Sequence, residues 1–216
     1  MAIKLYTYWR SSASYRVRIA LNLKGIDYEA MPISLKPGDD EQRKDAYRAI
    51  NPQMLVPFFD DGTVAMGQSM AILEYLEEKY PHTTLLPAAE PLRSKVRAFC
   101  NAIACDISPL NNLRVLKYLS SEFGVSDAQK NGWYAHWIVE GFRACEQLSV
   151  SYAHEGPYTF GNEITFADAL LVPQMYNARR FNVPLGEYPR LVAVTDACNE
   201  LQAFMDAAPE NQPDFL

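Results

Sequence analysis

Along the first 80 residues, apolar and polar positions switch between a period of two and a period near 3.6, and the switches mark out the elements. Residues 3–8 are rich in β-formers and predict a strand, which runs into the polar turn Arg10-Ser11-Ser12. Over 14–24, Val17, Ala20, Leu21 and Lys24 recur at helical spacing. Arg16, Arg18 and Asn22 fall largely on another face, and Gly25 sits where a helix C-cap belongs. Residues 28–33 alternate as a strand. Residues 55–59 and 63–66 flank Asp60-Asp61-Gly62, a hairpin signal. Ser69 can cap a helix over 70–80, which Pro81 stops. The predicted order is βαβ, an irregular segment, then ββα.

Residues 81–91 contain three prolines and no periodicity, as a linker would. Beyond them strand signals nearly vanish, and helical periodicity runs through 92–120, 127–150, 165–178 and 189–206. Thr165 and Asp168 have the spacing of a capping box, a structural role. The expected fold is an α/β thioredoxin-like domain over 1–82, a linker over 83–91, and an all-α helical bundle over 92–216. There is no internal repeat and no low-complexity tract.

Composition narrows the partners. The chain has 216 residues, nearly half of them hydrophobic, enough for a real core. No apolar run approaches the roughly 20 residues of a membrane helix, and the N-terminus lacks the pattern of an export leader. The expectation is a cytoplasmic protein without a membrane partner. A net charge of −6 argues against nucleic acid, and an anionic substrate would need a local positive pocket. Cys100, Cys105, Cys145 and Cys198 form no C-x-x-C, and His82, His136 and His154 are scattered, so free thiols and no metal are expected.

The chemistry concentrates in the first domain. In a thioredoxin arrangement a redox protein carries C-x-x-C at the start of the first helix, where the dipole lowers a thiol's pKa. Here that turn reads Ser11-Ser12-Ala13-Ser14. A site that stabilises a thiolate yet brings no sulfur suggests a thiol arriving with a ligand, glutathione being the obvious candidate. From this turn alone, Ser11 and Ser12 as plain helix caps is an equal reading. Val56-Pro57 occupies the place of a thioredoxin-type cis-proline, which would turn the Val56 backbone toward an extended peptide, although a lone X-Pro bond is usually trans. Gln68-Ser69 opens the next helix, whose free N–H groups suit a carboxylate such as that of a γ-glutamyl group. Together these describe a tripeptide-thiol site.

Several segments resemble the zeta class of glutathione transferases. They are Tyr8-Trp9-Arg10-Ser11-Ser12, Tyr15-Arg16-Val17-Arg18-Ile19-Ala20-Leu21, Lys24-Gly25-Ile26-Asp27-Tyr28, Asn51-Pro52-Gln53 and Gln68-Ser69. Leu171-Val172-Pro173-Gln174, Ala178-Arg179-Arg180-Phe181 and Gln212-Pro213-Asp214 extend the likeness toward the C-terminus. The resemblance implies a homodimeric cis–trans isomerase of maleylacetoacetate or maleylpyruvate that uses glutathione as a catalyst. By that likeness Ser11, or its neighbour Ser12, holds the thiolate, while Val56, Pro57, Gln68, Ser69 and Asn112 hold the peptide. Arg10, Arg114 and Arg180 would grip a small dianionic diketo acid, arginine being suited to bidentate carboxylate binding. Arg179 and Arg190 are assigned to the surface. Two positions depart from the pattern: Ala13 stands where the class carries cysteine, and Ser108 stands where relatives place Gln or His near the thiol. Conjugation or dehalogenation of small electrophiles is the alternative activity. A non-enzymatic interaction module is the third reading, disfavoured by Ser11, Val56-Pro57 and Gln68-Ser69 occurring together.

Overall fold

The structure is a computed structural model that describes residues 2–152 and 155–215. Contacts divide the chain into two compact units, Met1–Leu85 with Glu200–Leu216, and Leu86–Asn199.

The first unit is built on a four-stranded sheet of order β2-β1-β3-β4, with β1 at Lys4–Thr7, β2 at Glu29–Pro32, β3 at Phe58–Asp60 and β4 at Ala65–Gly67. β1 runs parallel to β2, joined by helix α1 (Ser12–Leu23), and antiparallel to β3, which pairs antiparallel with β4. Gly25 lies one residue past the C-cap Lys24 in the left-handed conformation (φ +64°), and Ile26 N–H reaches back to the Leu21 carbonyl. The predicted hairpin forms at Asp60-Asp61-Gly62, with Gly62 at φ +80° and its N–H bonded to the Asp60 carboxylate at 2.9 Å. The segment expected to be irregular contains a 3₁₀ turn at Glu41–Arg43 and a short helix, α2 (Asp45–Ile50). A six-residue helix in so polar a stretch shows too little apolar periodicity to register. Helix α3 (Ser69–Lys79) completes the βαβ–ββα order.

The tail departs from expectation. The sequence places 200–216 with the helical half, whereas the structure packs them into the first unit. The run expected as one helix over 189–206 is two, α8 at Pro189–Asn199 and α9 at Gln202–Ala207, parted where Leu201 turns extended. α1 packs against both α3 and α9, so its supposedly polar face is covered. Arg16 and Arg18 are buried, and Asn22 Nδ2 donates to the Ala203 carbonyl at 3.0 Å.

The second unit is helical. α4 (Glu90–Asn101) passes into a π-helical turn at Ala102–Ile107, where Ser108 N–H bonds back five residues to Ile103. After a break come α5 (Leu113–Phe123), α6 (Asp127–Tyr152) and α7 (Phe166–Arg180). The break interrupts the single helical run read over 92–120. α6 packs on the π-helical turn at Gly141, where a Cβ would collide with the Ile107 side chain. α7 is the core helix, buried continuously from Phe166 to Met175. The expected capping box is present: both Asp168 carboxylate oxygens are filled by the N–H and hydroxyl groups of Thr159 and Thr165 at 2.7–3.1 Å.

Candidate active site

Strand register brings the three chemically suggestive segments of the first unit to one end of its sheet. Tyr6 pairs with Phe58, so the turn that follows β1 lies beside Pro57; Phe58 pairs with Gly67, so Gln68 lies on Pro57's other side. The Ser11 turn, Val56-Pro57 and Gln68-Ser69 are therefore neighbours through the topology, though they are far apart in sequence.

Each segment is held in a specific state. Ser11 is the N-cap of α1, its Oγ accepting the Ser14 N–H at 3.2 Å, and Ser12 is the first helical residue. Ala13 supplies no thiol. The Val56–Pro57 bond is cis. Among the described residues neither the N–H nor the C=O of Val56 finds a hydrogen-bond partner, an unusual state for backbone groups next to a strand. Gln68, the N-cap of α3, takes φ +70°, a conformation that disfavours a side chain and clusters at ligand clamps.

A group of residues to which the sequence assigned no role fixes the loop before Val56. Tyr47 Oη and Asn51 Nδ2 both donate to the Leu55 carbonyl at 2.7 Å. Burial pushes the Tyr47 phenol up to about 12, so it stays a donor. Asn51 Oδ1 accepts the Gln53 N–H at 3.1 Å, and Gln53 Oε1 accepts from Gln68 Nε2 at 3.0 Å. Asn51-Pro52-Gln53 was legible as a family segment, but its tie to Gln68 spans 15 residues and has no local signal.

Behind the Ser11 turn lies Arg18, fully buried in α1. It donates to Thr7 Oγ1 and to the carbonyls of Tyr8, Trp9 and Ala207 at 3.0–3.4 Å, binding the turn to the C-terminal segment. Burial lowers its pKa to about 10, still well above neutrality. The Trp9 N–H completes the clasp by donating to Asp214 Oδ2 at 3.0 Å.

The remaining candidates are described unit by unit. Arg10 is exposed, its guanidinium 5.2 Å from the Trp9 ring centre. In the second unit, Arg180 is exposed at the last residue of α7, 4.5 Å from the Phe181 ring centre. Arg114 is exposed in the first turn of α5, and Asn112 is that helix's N-cap, accepting the Arg114 N–H at 3.0 Å. Arg179 pairs with Asp196 at the surface, as expected. Arg190 does not belong to the surface: it is half-buried, and its guanidinium donates to the carbonyls of Gly156 and Tyr158, pinning the loop ahead of α7. Among the described residues no cluster of His, Cys, Asp and Glu could hold a metal, and no helix is long and apolar enough to cross a membrane. His154 lies outside the described residues.

The chain matches known proteins along its length. Residues 5–84 match the family model of the glutathione S-transferase N-terminal domain. Over 212 residues the chain is 50% identical to maleylpyruvate isomerase of Ralstonia sp, covering 98% of this chain and 99% of that one. A holo structure of maleylpyruvate isomerase, described as a bacterial zeta-class glutathione S-transferase, superposes with a TM-score of 0.95 at 50% identity over 99% and 100% of the two chains. Maleylacetoacetate isomerase of Methylobacterium extorquens AM1, with malonate and glutathione bound, gives 0.91 at 35% identity over 97% and 98%. With half of its residues shared over almost the whole length, and with the fold in common, the chain belongs to the zeta class of glutathione S-transferases.

Proposed function

We propose that this chain is a glutathione-dependent cis–trans isomerase of maleylacetoacetate or maleylpyruvate. The observation that carries the reading is the 50% identity, over nearly the full length, to a maleylpyruvate isomerase. The Ser11, Val56-Pro57 and Gln68-Ser69 segments, gathered at one sheet end, support it.

The residues fit glutathione. The unpaired backbone groups of Val56 suit an extended peptide, which would add to them as a strand. The first turn of α3 offers amide N–H groups and the Ser69 hydroxyl to a γ-glutamyl carboxylate. When bound, glutathione would supply a thiolate nucleophile for reversible addition to a conjugated cis double bond. The task of Ser11 is to hold that sulfur ionised. Its oxygen already accepts the Ser14 N–H, so its one proton is free to donate to a thiolate beside the positive end of α1. Ser12 contributes from the same turn. Arg10, Arg114 and Arg180 are proposed to bind the two carboxylates of the substrate. The ring contacts of Arg10 and Arg180 orient their guanidinium groups. Cytoplasmic location is supported by four free cysteines, and a homodimer by the prevalence of two-fold assemblies.

The test is an absorbance assay on both cis substrates with and without glutathione. Turnover of at least one, dependent on glutathione, is expected. Conjugation of a neutral electrophile with no isomerisation of either acid would overturn the reading in favour of general transferase activity.

A further inference from the structure

A guanidinium has only protons to give, and a serine hydroxyl has one proton and two lone pairs. Arg16, in the second turn of α1, directs Nη1 at Ser69 Oγ across 3.3 Å, and both residues are more than nine-tenths buried. In this pair the Ser69 oxygen can only be the acceptor. Its own proton is thereby turned away from Arg16, and no acceptor for it exists among the described residues.

We infer that Arg16 is a positioning residue that sets the polarity of the Ser69 hydroxyl, committing it as a donor to the carboxylate at the start of α3. The inference rests on the glutathione reading above and assigns that carboxylate's recognition to a residue that need not touch it. Without Arg16, the Ser69 hydroxyl could instead accept from a water or rotate, and a donor-poor site discriminates weakly between a carboxylate and its absence. The bond also ties the first helix to the third, so the turn proposed for the sulfur and the corner proposed for the carboxylate keep a fixed separation. In a chain of net charge −6, a buried guanidinium at this corner favours an anion there.

Calorimetric titration with glutathione and with 4-aminobutyryl-cysteinyl-glycine, the same tripeptide lacking the γ-glutamyl α-carboxylate, separates the possibilities. The unaltered protein should prefer glutathione. Arg16→Met should cut that preference by about 10-fold, from a charge-assisted contact of about 1.4 kcal/mol, by weakening glutathione alone. Ser69→Ala should do the same, and the double variant should lose no more than either single one, because both act on one proton. If Arg16→Met fails to fold, Arg16→Lys replaces it. The lysine keeps a donor-only cation, so the preference should survive in it and vanish when Ser69→Ala is added. Equal weakening of both tripeptides by the Arg16 variant, or additive losses with Ser69→Ala, overturns the inference while leaving the glutathione site standing. If the unaltered protein bound neither tripeptide, the functional reading itself would fall first.

Discussion

At the scale of single residues, capping and chemistry coincide at Ser11. A capping serine accepts a backbone N–H with its oxygen and keeps its proton, so the cap leaves a donor at the helix terminus. Ser11→Ala removes both functions, and they read out separately. Losing the cap should cost about 0.5–2 kcal/mol of stability, seen as a lower melting temperature. Losing the donor should raise the pKa of bound glutathione's thiol and cut turnover by about 10- to 100-fold. Unchanged thiolate absorbance in a variant that melts earlier would leave Ser11 as a cap only. Arg180→Ala tests the carboxylate role in the same way. A charge-assisted contact of roughly 1.5–3 kcal/mol predicts a loss of about 10- to 150-fold in kcat/KM for a dianionic substrate. Conjugation of a neutral chlorodinitrobenzene and the affinity for glutathione should hold steady, and equal losses on both substrates would mean a folding defect. The sequence offered Ser11 and Arg180 because turn position and family motif point to them. It hid Arg18 and Arg190, since a charged residue on a helix reads as solvated until a distant segment is known to cover it.

Elements show the same division between local and distant information. The β3–β4 hairpin was legible from Asp60-Asp61-Gly62, because the turn chemistry lies within three residues. The load on Asp61 was not. Burial opposes its charge, but the Lys79 ammonium, the Val64 and Thr63 N–H groups and the Tyr75 hydroxyl hold its carboxyl well below the usual range. Because the folded pKa lies below the unfolded carboxyl value of about 3.9, this stabilisation is fully present above that pH. It is lost as pH falls through the folded value. Asp61→Asn should therefore lower stability at neutral pH by about 1–3 kcal/mol, and the difference from the unaltered protein should shrink on acidification below about pH 4. Denaturant melts of the two proteins from pH 7 down to 3 check this; a gap that stayed constant would show that the charge is not what matters. The π-helical turn at Ala102–Ile107 was invisible because one extra residue in a turn leaves periodicity on either side intact, and the Gly141 that packs closely on Ile107 lies 34 residues away in the chain.

For the whole molecule, the informative departure is the route of the chain, which completes the first unit only with its last residues. Periodicity made 189–206 look like one more bundle helix, and nothing local marks Leu201 as the point of return. What fixes the route is the inventory of donors on α1 and on the turn before it. Arg18, buried, needs the Ala207 carbonyl; Asn22 needs that of Ala203; and the Trp9 N–H needs the Asp214 carboxylate. The tail is thus a structural part of the turn that ends at Ser11, and shortening the chain should act in two grades. Ending it after Asn211 removes Asp214 and the Phe215 ring that meets Trp9 edge-on at 5.0 Å, but spares Ala203 and Ala207. That variant should fold, melt somewhat earlier, and bind glutathione more weakly because residues 9–11 lose an anchor. Ending the chain after Asn199 strips every one of these acceptors and leaves the Arg18 charge without its tail partner. Losing one buried hydrogen bond to a charged group costs about 1.5–3 kcal/mol, and the α1 face that α9 covers is bared with it, together a large share of the roughly 5–15 kcal/mol that holds a domain folded. The first unit should then lose its cooperative melt and its glutathione binding together. Thermal melts and glutathione titrations on the two truncated chains measure both grades. An intact melt and unchanged affinity in the chain ending at Asn199 would mean that the tail merely rests on α1, and that Arg18 is held by Thr7, Tyr8 and Trp9 alone.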